Sequence, residues 1–185
     1  MKRIVFLLVL GSLVASVPAA TAASDLGFKR IGATLGYIDP EGLGGTFSFG
    51  VIADHGTIAP KWGLESRFEY WSSSESAFGA EASIRDVALG ARTKYYFPIQ
   101  NPRIRPFAGA GLGMHFLKAK VTVVQPGFPP MTAEGSQTEL GLDLGGGVAH
   151  DLGPRTDLLG EVWFGMVDTA NTFSLRVGLS RQLGH

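Results

Sequence analysis

Polar and apolar residues alternate along most of this chain. The pattern is cleanest between Arg105 and Phe116. There Ala108, Ala110, Leu112, Met114 and Phe116 fall on one side, and Phe107, Gly109, Gly111, Gly113 and His115 on the other. A period of two places successive side chains on opposite faces of a strand. Three glycines on one face would weaken a strand of a soluble sheet. In a narrow barrel they leave room for large side chains from neighbouring strands. Eight segments of about the 9–11 residues that cross a bilayer as a tilted strand can be laid out in this way. They are Phe28–Ile38, Gly45–Asp54, Trp62–Trp71, Asp86–Phe97, Arg105–Phe116, Gln137–His150, Asp157–Val167 and Thr172–Leu183. Turn clusters at Asp39–Gly42, Pro98–Pro102 and Gly153–Arg155 separate some of them, and a short loop at Asp168–Asn171 another pair. His55–Lys61 is predicted as a connection, Ser72–Gly79 as a polar loop, and Val123–Ser136, with Pro126, Pro129 and Pro130, as the longest loop.

The two faces differ in chemistry. One series carries Arg30, Glu65, Arg67, Glu69, Arg92, Lys94, Glu139, Asp143, Glu161 and Arg176, together with Asp54, Asp86 and Arg105. The other is almost free of charge. Its aromatic residues fall in two bands: Tyr37, Phe47, Phe68, Tyr70, Phe116, Phe164 and Phe173 towards one end of the strands, and Trp62, Tyr95 and Phe97 towards the other. Two aromatic girdles around an apolar band mark a barrel that spans a bilayer. A lipocalin-type soluble barrel would put the apolar series inside. The expected fold is therefore all-β, an eight-stranded antiparallel transmembrane up-and-down β-barrel. An even strand number puts both ends of the domain on one side, with the connections at His55–Lys61, Pro98–Pro102 and Gly153–Arg155, and puts the Val123–Ser136 loop on the other. Eight strands enclose a space just wide enough for side chains to fill, and buried charges must be paired. The charged series is thus expected to form an internal plug. A gated ion path through the same charges is the alternative.

The chain begins Met1-Lys2-Arg3, continues with an apolar run from Ile4 to Leu10, and reaches Ala20-Thr21-Ala22. That order of positive, apolar and small residues is a secretory signal peptide. Residues 1–22 are assigned to it and 23–185 to one barrel domain. Loss of Lys2 and Arg3 leaves 14 basic and 16 acidic side chains, so nothing favours nucleic acid as a partner. Absence of cysteine excludes thiol chemistry and disulfide staples. No cofactor or metal is expected: His55, His115, His150 and His185 form no H-E-x-x-H pattern, and Gly109–Gly113 is not a nucleotide-binding loop. A lipid-modifying hydrolase would need a histidine beside a serine or threonine. The only such neighbour in sequence is Thr57, beside His55 at a turn, so the histidines read as lumen or turn residues and the chain as no enzyme.

On the Arg105–Phe116 strand, the Glu/Arg interior and the final strand, the chain resembles the small OmpA/OmpX-type outer-membrane β-barrels, often grouped as porin-family or outer-membrane β-barrel-domain proteins. The resemblance implies a bacterial outer-membrane location after Sec-dependent export and insertion by the barrel-assembly machinery. It also implies roles in envelope integrity, adhesion or host contact. The final strand departs from the family pattern: Arg181 stands at a usually apolar position and Leu183 replaces a terminal aromatic. Beyond Phe116 the outward series continues as Lys118 and Lys120, placed to meet phosphorylated head groups of outer-membrane lipid, including lipopolysaccharide. The 123–136 loop, with Phe128 and Met131 near its tip, is a candidate surface for an external partner.

Overall fold

The computed structural model describes residues 24–41, 44–77, 80–124, 127, 129–168 and 171–184. The expected signal segment 1–22, His185, and Gln125, Pro126 and Phe128 of the expected loop lie outside the described residues. Eight strands follow one another: β1 Asp25–Pro40, β2 Thr46–Ala59, β3 Trp62–Ala77, β4 Ala80–Tyr96, β5 Ile104–Val123, β6 Met131–Gly153, β7 Thr156–Val167 and β8 Thr172–Gln182. Each is antiparallel to the next, and β8 returns to β1 to close the barrel. The closing seam runs from Arg30↔Gln182 to Pro40↔Thr172. Closure leaves no sheet edge in contact with hydrocarbon, the condition for crossing a membrane with strands. Among the described residues no helix is long and apolar enough to cross one.

The barrel is apolar outside and polar inside. Leu35, Phe47 and Leu140 are 69, 82 and 73 % exposed, whereas Arg92 and Trp163 are each 1 % exposed. A soluble protein sorts these residue types the other way. The outward residues form rows across the ladders, such as Phe68↔Leu89, Leu89↔Met114 and Met114↔Leu140. Two lumen glycines show why the sequence spends so many on that face. A Cβ at Gly111 would lie 2.4 Å from Cγ of Arg92, and one at Gly145 would lie 2.7 Å from Cε3 of Trp163. Both glycines clear space for the largest buried side chains.

Three predicted boundaries are corrected. Ser72–Ala77 is not loop but strand, in register with Ala80–Arg85. Both faces of that hairpin meet water, so no apolar alternation announces it. The connection expected over 123–136 shrinks to 124–130, because Met131–Ser136 pair with Lys118–Val123. Met131 opens β6 instead of belonging to a loop tip. The connection expected over His55–Lys61 is mostly strand as well: β2 runs on to Ala59 through an irregularity at Gly56, where φ is +82°. The remaining two-residue turn carries Lys61 at φ +69°. The wall is consequently uneven. β3 to β6 rise well beyond the ends of β7, β8, β1 and β2 on the side opposite the termini.

Candidate functional site: the charged lumen and the tall wall

Alternation along each strand delivers every second side chain to the lumen, several of them charged, and barrel closure brings these together. Lys94 on β4 bridges Glu65 on β3 at 2.6 Å and Glu161 on β7 at 2.8 Å. Its ammonium also lies 4.6 Å from the centre of the Phe107 ring. Arg67 pairs with Glu69, and with Asp143 at 2.5 Å. Arg176 meets the other oxygen of Glu69 at 2.8 Å. Arg92 stacks 3.8 Å over the Trp163 ring and lies 3.6 Å from Asp143. Trp163 in turn donates its indole hydrogen to Glu161 at 3.0 Å. Four cations, Arg67, Arg92, Lys94 and Arg176, thus face four carboxylates, Glu65, Glu69, Asp143 and Glu161, all of them buried. In a low-dielectric interior such balance is what makes burial tolerable, since an unmatched charge there costs several kcal/mol.

Two further clusters lie above and below. Towards the termini, Asp157 accepts hydrogen bonds from Arg30 and Arg105, and Arg105 also reaches Asp151 at 3.2 Å. Arg30, Arg105 and Asp157, with Asp54, line a cavity of about 20 Å³ at that mouth. Towards the tall wall, His115 Nδ1 lies 2.7 Å from Asp86, which also accepts the indole hydrogen of Trp71 at 3.2 Å. Glu139 is half-buried and sits opposite His115 in the β5–β6 ladder. Asp157 and Trp71 were missed as lumen residues. Asp157 was legible, because it continues the inward series of Glu161 and Trp163. The Trp71–Asp86–His115 arrangement was not, since it joins residues of three strands.

The ten residues of the two predicted aromatic bands all lie on the outward face, whereas Trp71, Phe107 and Trp163 are buried in the lumen. Tyr37 and Phe47 meet edge to face with ring centres 6.5 Å apart near the outer end of their strands. Phe164 pairs with Phe173, and Phe116 with Val87, while Phe68 and Tyr70 continue the row on β3. At the end nearer the termini, the ring centres of Trp62 and Tyr95 lie 5.2 Å apart in a tilted contact, and those of Tyr95 and Phe97 5.2 Å apart edge to face. Above the first band, Lys118 lies opposite Arg85 on β4, both exposed on the outward face. Like charges directly opposite each other destabilise a sheet, and neither has a carboxylate partner among the described residues. Lys120 is different: its ammonium lies 3.5 Å from Glu134.

His55 does find a serine, though not a neighbour in sequence. Its Nε2 lies 2.7 Å from Oγ of Ser66, on the outward face. An activated serine needs its histidine oriented by a third group, and among the described residues no carboxylate is bonded to His55. The pair is a satisfied polar contact. Among the described residues no group of histidines and carboxylates could hold a metal ion.

The sequence matches the family model for the outer membrane protein β-barrel domain over residues 7–180. The chain belongs to this family. It is therefore a bacterial outer-membrane β-barrel protein. The barrel also superposes on solved structures of its kind. Neisserial surface protein A gives a TM-score of 0.61 at 18 % identity, over 85 % of this chain and 98 % of that one. OprG of Pseudomonas aeruginosa gives 0.61 at 13 % identity, over 88 % and 99 %. Ail, the attachment invasion locus protein of Yersinia pestis, gives 0.54 at 13 % identity, over 84 % and 96 %. At these identities the likeness is one of fold. No curated protein matches the chain significantly.

Proposed function

We propose that this barrel is a non-conducting, non-enzymatic outer-membrane protein that supports the envelope and presents its tall wall as a contact surface outside the cell. The observation that carries the first half is the charge-balanced lumen, in which Lys94 and Arg67 each span two carboxylates from different strands. Side chains tied across the axis on both sides leave no continuous path for hydrated ions. The reconstituted protein is expected to give no steady current in planar bilayers. Stable steps on the nanosiemens scale would replace this reading with that of a small pore.

The orientation follows from the connections. Short turns at residues 60–61 and 154–155 lie on the side of the termini, and the tall hairpins on the other. Outer-membrane barrels keep short turns in the periplasm and longer structures outside. Lys118, joined by Arg85, then stands above the outer aromatic band at the height of lipid phosphates. A phosphate of lipopolysaccharide would relieve the repulsion between these two cations, with a modest, salt-sensitive contribution at a wet interface. Lys120 takes a smaller part because Glu134 already neutralises it. Insertion by the barrel-assembly machinery fits the chain's closed sheet. Protease added to intact cells is expected to cut within residues 124–130 and leave the barrel folded. Cutting only after the outer membrane is opened would invert the orientation.

A further inference from the structure

Arg181 departs from the pattern of the final strand, and neither the lumen nor the tall wall uses it. β8 sets Phe173, Leu175, Val177 and Leu179 outward, and Ser174, Arg176 and Ser180 inward. The next outward position is Arg181, which is exposed. A cation facing lipid is tolerated only near the interface, so Arg181 marks where the apolar band ends on the side of the termini.

Other cations gather beside it. Arg181 lies opposite Thr156 on β7 and Ile31 on β1. The Gln182 amide donates to the carbonyl of Arg155 at 2.8 Å, and the Leu183 amide to that of Lys29 at 2.9 Å. A Cβ built at Gly184 would lie 3.8 Å from Nη1 of Arg155, so the Arg155 side chain runs along the end of β8. Lys29, Arg155 and Arg181 thus meet at the foot of the closing seam. Lys29 is held by Asp25 at 2.7 Å. Arg155 and Arg181 are exposed, and neither forms an ion pair among the described residues. Like charges on neighbouring strands repel, and an anion from outside the chain relieves that repulsion.

The surface above the arginines is apolar. Leu158 pairs with Leu179, and Gly160 with Val177. Leu179 and Val177 are 52 and 61 % exposed, and a Cβ at Gly160 would meet nothing within 4 Å. Gly160 therefore opens a shallow furrow between Leu158, Val162 and Val177 that leads from the arginines into the hydrocarbon.

We infer that the foot of the seam binds an anionic glycerophospholipid of the periplasmic leaflet, with its phosphodiester between Arg155 and Arg181 and an acyl chain along the furrow at Gly160. The leaflet rests on the orientation proposed above; the site does not. Arginine suits the task because its planar fork presents paired N–H donors to phosphate oxygens. Thr156 adds a hydroxyl on the same face as Arg181. Three cations against the single carboxylate of Asp25 favour a head group of net negative charge over a zwitterionic one, whose ammonium they repel. A free phosphate ion would meet the same arginines but gain nothing from the furrow.

The full mature protein in neutral detergent is titrated with phosphatidylglycerol and with phosphatidylcholine, and bound lipid is counted by native mass spectrometry. Arg85→Gln and Lys118→Gln are present throughout, so that the cations at the other end of the barrel do not contribute. Phosphatidylglycerol is expected to bind about tenfold more tightly than phosphatidylcholine. Adding Arg155→Gln and Arg181→Gln should weaken phosphatidylglycerol by about tenfold and leave phosphatidylcholine and heat-modifiable gel migration unchanged. Adding Lys61→Gln and Arg103→Gln instead removes two exposed cations from other turns of the same rim, and should cost less than about twofold. Excess inorganic phosphate should not displace the lipid. The inference is overturned by equal affinity for the two lipids, by an arginine pair whose loss changes nothing, or by an equal loss in the Lys61 and Arg103 pair. Displacement by inorganic phosphate also overturns it, since the free ion would then be the ligand. The lipid comparison and the phosphate competition need neither added pair, so they decide even where an added pair folds poorly. Gln100→Cys, in the connection on the same side, tests the leaflet in cells. Labelling by a membrane-impermeant maleimide only after the outer membrane is opened supports the periplasmic leaflet. Labelling of intact cells removes that leaflet together with the orientation, while the titration still decides the site.

Discussion

Replacing Lys94 by methionine should destabilise the folded barrel by about 3–5 kcal/mol, the range for removing one partner of a buried ion pair. Methionine matches the lysine stem in length and fills the same volume, so packing changes little. What changes is the charge. Glu65 and Glu161, which Lys94 holds at 2.6 and 2.8 Å, are left as two buried carboxylates facing each other. The second half of the test is repair. Adding Glu65→Gln and Glu161→Gln to Lys94→Met removes the uncompensated charges and should recover most of the loss, because a neutral network of similar volume is close in stability to an ionic one. Urea unfolding in lipid vesicles, followed by tryptophan fluorescence and by gel migration, reads both. If Lys94→Met unfolds at the wild-type midpoint, the lumen is wet enough to solvate the carboxylates, and the closed interior fails with it.

The second large effect lies on the opposite face. Leu112 points outward near the middle of β5, between Ala91 and Leu142, and is 49 % exposed. Leu112→Arg should lower folding stability by about 2–4 kcal/mol, the cost of a cation at the bilayer midplane. Leu112→Ala should have a much smaller effect, because lipid chains close around the shorter side chain and leave no cavity. The pair separates three environments. In a protein core both substitutions would be severe, since truncation of a buried leucine alone costs about 2–5 kcal/mol. On a water-exposed surface both would be mild. Only a lipid-facing position tolerates alanine and rejects arginine, and refolding into vesicles of defined thickness gives the numbers.

Particular residues show where sequence reading reaches and where it stops. The inward and outward sets of β5 are correct from Phe107 to Phe116 because each face meets a different medium there, lumen or lipid. Past Phe116 the hairpin stands in water on its outward side, and alternation loses its contrast; Ser72–Ala77 and Met131–Ser136 then look like loop although every rung is paired. The charged series was likewise readable strand by strand, but its partners were not. Lys94 meets Glu161 because closure of the barrel brings β7 across the lumen from β4, and a local pattern carries no information on that distance. The same holds for Trp71 and His115, which converge on Asp86 from either side of β4. Arg105 stands among the inward charges of the sequence reading, yet its main partner, Asp157, does not, although the alternation that places Glu161 and Trp163 inward extends to it.

The unequal height of the wall also sets an order of assembly. β3 with β4, and β5 with β6, are long hairpins between chain neighbours, so their ladders close small loops and form at little entropic cost. The seam of β1 with β8 joins Arg30 to Gln182, nearly the full length of the domain, through the shortest part of the wall. Contacts so distant in sequence are the slow ones. An open strand margin cannot rest in hydrocarbon. The seam must therefore close as the sheet enters the membrane, with the tall hairpins already formed and the lumen ion pairs between β3, β4 and β7 made as the ring tightens. Insertion and locking of the interior are then a single event, and a chain that fails to bring β8 to β1 has neither.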